Sequence, residues 1–170
     1  MKFILLNGSS CSGKSTITKN IMKEKDDFFQ LSYDSIKWLF SDYTQVTHGK
    51  DVQRLLYSIA ESVFKMNFNV VCDSVVDRKL RRKLVVLAKR HGYSVLEINL
   101  EADYRILSRR FDERVARALS DPESKIANTS KERFKRIHDA YHKDKNPRAV
   151  TFRTDTQTVE ELSKKILKMI

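Results

Sequence analysis

The chain is poor in the residues that interrupt regular structure: 170 residues hold four glycines, two prolines and one tryptophan. So little Gly and Pro excludes collagen-like and low-complexity architectures and leaves most of the backbone to helices and strands. Two cysteines, Cys11 and Cys72, supply neither metal-ligand spacing nor a disulfide framework, and two reduced thiols are expected. No apolar run approaches the roughly 18 residues of a membrane-spanning helix, so no membrane partner is expected. Acidic residues are also short, 22 against 33 Lys and Arg, for a formal charge of +11. Such a surface concentrates anions, nucleotides and nucleic acids included. Because the cations are spread along the whole chain with no basic arm, a lysine-rich solvated surface explains the excess equally well. The N-terminus runs straight into an apolar strand, which argues against a cleaved leader and for a cytoplasmic location.

The few glycines are not scattered. Gly8 and Gly13 both fall in G-S-S-C-S-G-K-S-T, residues 8–16, directly after the apolar run Phe3-Ile4-Leu5-Leu6. This fits G-x-x-x-x-G-K-[ST] in its required context of strand, glycine turn and helix N-terminus. In such a loop successive N–H groups point into one concavity and bind phosphate oxygens. Gly8, Ser9, Ser10, Cys11, Ser12, Gly13, Lys14, Ser15 and Thr16 are therefore expected to cradle a nucleoside triphosphate. Lys14 would reach the β- and γ-phosphates and the Ser15 hydroxyl would ligate Mg²⁺.

Hydrophobic periodicity predicts strands at 2–7, 28–33, 69–72, 93–100 and 150–153. Helices are predicted at 14–24, from Ser35 to Phe40, and at 51–67, 78–91, 103–119, 130–142 and 157–169. This alternation implies right-handed βαβ crossovers and a parallel sheet in a single α/β domain spanning 1–170. The polar stretch Ser120 to Thr129 would be the tip of a small lid covering about 108–130.

Ligands of open α/β sheets gather at the carboxyl ends of strands, which singles out Asp34 and Asp73 beside the glycine loop. Asp34 is the candidate acceptor of a substrate hydroxyl proton, with helix N-capping as its rival role. Lys37, one turn on, would orient Asp34 or contact a transferring phosphoryl group. Asp73, after N-V-V-C, stands in the place of a Walker-B-like acid that would hold a Mg²⁺-bound water or hydrogen-bond the acceptor, with a structural turn as its rival role, and Asp77 would cap the next helix. Arg110, Arg114 and Arg117 share one helix face and would close over triphosphate oxygens, or else form an exposed salt-bridged surface with Asp112 and Glu113. Tyr33, Trp38, Phe40 and Tyr43 would pack in the core or stack on an acceptor. His138 and His142 lack the third ligand a zinc site needs.

Taken together, the glycine loop, Asp34 at the second strand end, C-D-S at 72–74, and R-x-x-x-R at Arg110 and Arg114 resemble the small P-loop kinases. The nearest likenesses are the kinase domain of polynucleotide 5′-hydroxyl kinases and the chloramphenicol phosphotransferase type. The resemblance covers nearly the whole chain. It implies a nucleotide-kinase-like P-loop fold with a five-stranded parallel sheet in the order 2-3-1-4-5, helices on both faces and a helical lid. It further implies ATP with Mg²⁺, Asp34 as the activating base, Arg110 and Arg114 facing the donor phosphates, Asp73 near the acceptor, and Ala149 to Asp155 beside the adenine. In one respect the chain departs from the pattern: polynucleotide kinases usually carry an Arg where Lys37 stands.

Two functions of different class follow. One is a kinase transferring the γ-phosphate of ATP to a hydroxyl on a polynucleotide end, a nucleoside or another small molecule. The other is a nucleotide-binding switch or ATPase that binds nucleic acid without phosphorylating it. Asp34 argues against a phosphate acceptor, since two anions would repel at the attacking centre.

Overall fold

A computed structural model describes residues 1–74, 77–121 and 130–170. Five parallel strands, β1 (Lys2–Asn7), β2 (Phe28–Leu31), β3 (Asn69–Cys72), β4 (Ser94–Glu101) and β5 (Val150–Arg153), lie in the order β2-β3-β1-β4-β5. The expected sheet order is present. Seven helices connect and flank the strands: α1 (Lys14–Glu24), α2 (Tyr33–Lys37), α3 (Gln45–Lys65), α4 (Arg78–Arg90), α5 (Tyr104–Ser120), α6 (Lys131–Asp144) and α7 (Val159–Leu167).

The central strand β1 is apolar at every position from Phe3 to Leu6 because both of its faces are covered, as in parallel sheets generally. Phe3 and Leu5 face one core with Val70 and Cys72 of β3, closed by Val52, Leu56 and Phe64 of α3 and Leu84 of α4. Ile4 and Leu6 face the opposite core with Ile17 and Ile21 of α1 and Leu162 and Ile166 of α7. The aromatic centre of the first core is Phe64, 5.3 Å from the Phe3 ring in an edge-on contact and 4.6 Å from Tyr93. A third, small cluster of Ala102, Leu107, Phe111 and Phe134 joins α5 to α6. There Lys131 of α6 ties the pair on the outside by binding Asp112 and Ser108 of α5.

Element ends follow local chemistry. Asp77 caps α4 by accepting from Leu80 N at 2.8 Å, as the sequence predicts, and Gly92 closes that helix with φ 78°. Thr158 and Glu161 form a reciprocal capping box on α7. Elsewhere the boundaries differ from expectation. β2 ends at Leu31, not Tyr33, because the Ser32 side chain caps α2. Helix α3 begins two turns early, at Gln45, where Thr44 Oγ1 accepts from Thr47 N at 3.1 Å. Its first residues are exposed, with Val46 95% accessible, so they carry no apolar period. Among the described residues, no helix is long and apolar enough to cross a membrane. Both thiols are unbonded; burial pushes Cys72 up to about 12. The expected lid tip falls largely on 122–129, outside the described residues.

Phe64→Ala removes the ring that joins α3 to the sheet and should lower stability by about 3–5 kcal/mol. Urea unfolding checks this: the midpoint falls at an unchanged slope.

Candidate active site

The loop from Gly8 to Gly13 leaves β1 at its carboxyl end and delivers the chain to the N-terminus of α1. Close approach dictates its glycines. A Cβ on Gly8 would lie 2.3 Å from Ser12 Oγ and 2.6 Å from the Leu100 carbonyl oxygen, and Gly13 sits at φ 92° where side chains are strained. Cys11 adopts φ 64° in the same loop.

Lys14 is buried inside this curve, its Nζ donating to the carbonyls of Gly8 at 2.9 Å and Ser9 at 2.8 Å. Burial drives its pKa from 10.5 down to about 8, against the opposing pull of Asp73 and then Asp34. A cation with a depressed folded-state pKa destabilises the fold while both states are protonated. That cost, about 3 kcal/mol, is fully present below pH 8 and is released as pH rises from 8 to 10.5. An arriving polyanion offsets it. Two further polar atoms point the same way: Asn7 Nδ2 and Ser12 Oγ are buried without a hydrogen-bond partner among the described residues. The loop therefore suits polyphosphate.

Asp73 extends from β3, which is hydrogen-bonded to β1 in a register that pairs Leu5 with Cys72, and this adjacency sets the acid against Lys14. It is 6% exposed, and its Oδ2 accepts from Gln30 Nε2 of β2 at 3.1 Å. Burial raises its pKa, with Lys14 as the main opposing influence. A desolvated carboxylate of this kind gains when a cation joins it. Its oxygens and the exposed Ser15 hydroxyl are hard donors of the kind that Mg²⁺ takes. No cluster of three His, Cys, Asp or Glu side chains occurs among the described residues, so the paired histidines on α6 stay a ring contact at 4.5 Å.

Asp34 does not cap α2. Ser32 does, and Asp34 occupies the first turn with its side chain 69% exposed. Lys37, nearly buried, binds Asp34 Oδ1 one turn on. The start of α2 is fixed to the end of β3 by Tyr33 N donating to Ser74 Oγ. Asp34 thus opens into a cavity of about 520 Å³ that it lines together with Gly8, Ser10, Lys37 and Arg114. The expected base, phosphate loop and one lid arginine share a single chamber.

The two arginines of R-x-x-x-R separate in role. Arg114 lines the cavity. Arg110 does not; its guanidinium donates to the Thr154 carbonyl at 2.6 Å, to Thr154 Oγ1 at 3.1 Å and to the Cys11 carbonyl at 3.5 Å. It fastens α5 to the glycine loop and to the β5–α7 connection. Arg117 and Arg109 engage Glu113 on the outer surface. Tyr33, Phe40 and Tyr43 pack against the core, and the two tyrosines, joined at 3.1 Å through their hydroxyls, also face the cavity. Sequence reading missed Gln53, Arg81 and Tyr141, which also line the cavity. Arg81 left a trace: it stands on the apolar stripe of α4 with Leu84 and Ala88.

A family model described as an AAA domain matches residues 3–143, and the chain belongs to that family. Solved structures share its fold at low identity. The Chaetomium thermophilum Kti12 structure in complex with ADP-AlF3 is 14% identical over 98% of this chain and 97% of that one, with a TM-score of 0.69. A chain of the Pnkp1/Rnl/Hen1 RNA repair complex is 14% identical over 84% of this chain and 44% of that one, at 0.68. The Mycobacterium tuberculosis APS kinase CysC in complex with AMPPNP and APS is 16% identical over 98% and 95%, at 0.63. The architecture is that of the P-loop kinases, as the sequence resemblance implied.

Because free Lys14 titrates near 8, affinity for ADP should fall about tenfold between pH 7 and 9 as the ammonium is lost. Isothermal titration across that range checks it, and Lys14→Met should bind weakly with little pH dependence.

Proposed function

We propose that this AAA-domain family member is an ATP-dependent kinase that phosphorylates a hydroxyl group. The observation that carries the reading is the shared cavity, in which the Asp34 carboxylate opens beside the phosphate loop and Arg114. The family match and the fold of nucleotide-bound relatives support it.

Phosphoryl transfer asks chiefly for positioning and charge neutralisation. The amides of Gly8 to Thr16 and the Lys14 ammonium hold the triphosphate. Ser15 and Asp73 would hold Mg²⁺, which neutralises phosphate charge when bound. Lys37 fixes the Asp34 carboxylate, leaving its second oxygen for the acceptor. As the acceptor oxygen forms its bond to the γ-phosphorus and the bond to the ADP oxygen breaks, the hydroxyl proton passes to Asp34. Arg114 meets the charge on the transferring oxygens, while Arg110 holds α5 so that Arg114 is in place. The segment from Ala149 to Asp155, anchored through Thr154, borders the adenine, and α5 with α6 forms the body of the lid. A polynucleotide 5′-hydroxyl, a nucleoside or another small alcohol fits this chemistry equally.

Asp34→Asn should lower turnover by about 100- to 10,000-fold while leaving the affinity for ADP within threefold. The assay is transfer of label from γ-labelled ATP to a panel of 5′-hydroxyl oligonucleotides, nucleosides, aminocyclitols and phenicols. ATP consumption with no labelled acceptor, unchanged in Asp34→Asn, would instead favour the nucleic-acid-binding switch.

A further inference from the structure

Arg81 is a largely buried cation whose ion pair leaves its donors unfilled. Its residue is 8% exposed, yet it is one of the residues lining the cavity. Its charged neighbour is Glu97 of β4, whose Oε2 lies 3.7 Å from Arg81 Nε. That is too long for a hydrogen bond, and Glu97 Oε2 is itself buried without a hydrogen-bond partner. Among the described residues the guanidinium makes no hydrogen bond. A guanidinium carries five donors in a fixed fork. A guanidinium that is largely buried, with its ion pair at 3.7 Å and its donors unfilled, gains when a ligand in the cavity accepts from them. Of the other lining cations, Lys37 is committed to Asp34 and Lys145 to Glu101 at 2.7 Å, and Arg114 is already assigned to the transferring phosphate.

Its neighbours place Arg81: the guanidinium faces Glu97 of β4, and its charge acts on the Tyr141 hydroxyl. Tyr33, Tyr43 and Gln53 line the same cavity as Asp34 and Arg81, a surface of rings and polar tips suited to an organic body.

We propose that Arg81 is the anion anchor of the acceptor subsite. The acceptor of the reaction carries, besides its hydroxyl, an oxyanion that the Arg81 fork binds while Asp34 meets the hydroxyl. This rests on the kinase reading for the word acceptor, but the binding it asserts needs no turnover. Arg81 is then the residue that selects anionic over neutral alcohols, through the bidentate geometry that a lysine lacks.

The test uses the full chain saturated with Mg²⁺ and AMPPNP, so that the phosphate loop is filled. Isothermal titration compares adenosine with adenosine 3′-monophosphate and glucose with glucuronate, one pair reading phosphate and the other carboxylate. In at least one pair the anionic partner should bind tenfold more tightly or better. That preference should fall below threefold in Arg81→Gln, with AMPPNP affinity unchanged. Should Arg81→Gln fail to fold, Arg81→Lys keeps the charge opposite Glu97 and loses the fork, and the preference should drop at least threefold. No preference in either pair for the unaltered chain, or a preference that survives substitution, would overturn the assignment. A chain that shows the preference but transfers no phosphate would fail the kinase reading alone.

Discussion

A buried ammonium governs the architecture of the site. Lys14 can sit inside the glycine loop only because two main-chain carbonyls accept from it and because β3 brings Asp73 alongside. Both conditions are properties of the parallel sheet: β1 and β3 are adjacent and in register, with β3 ending at Cys72 opposite Leu5 and β1 running on to Asn7. The loop is thereby held in a shape that is energetically incomplete, with a depressed lysine, a raised aspartate and two unpartnered donors. Anion binding completes it. Stability given up in the free protein is available as binding energy, the usual trade of preorganised sites.

Much of this was legible in the sequence because the signals were local. The strand–glycine–helix context of residues 3–16, the caps at Asp77 and Gly92, and the apolar spacing of Leu107 and Phe111 each depend on neighbours a few positions away. The start of α3 was not legible, since its first two turns are solvated and carry no period. Nor was the capping role of Ser32, because Ser32 and Asp34 are both good caps two residues apart. The resemblance supplied the strand order, which periodicity alone does not encode.

The rest of the cavity wall was opaque for a different reason. Its residues come from α2, α3, α4 and α6, separated by more than a hundred positions, and each looks ordinary in its own helix. Arg81 is the instructive case. On a helix wheel it reads as one basic residue among many on α4, yet it occupies a buried position between leucines. A cation on an apolar stripe signals that something outside the helix requires it. The structure also divides the arginine pair: identical spacing on α5 places Arg114 over the chamber and Arg110 against backbone carbonyls.

That last contact has a mechanical corollary. With Arg110 joined to Thr154 and to the Cys11 carbonyl, the inner end of α5 belongs to the same rigid body as the sheet. Any hinge must lie farther out along the helix, leaving a lever of ten residues, about 15 Å at the usual rise. Arg114 is four residues past the fulcrum, so it would move through about two fifths of the arc of the outer end.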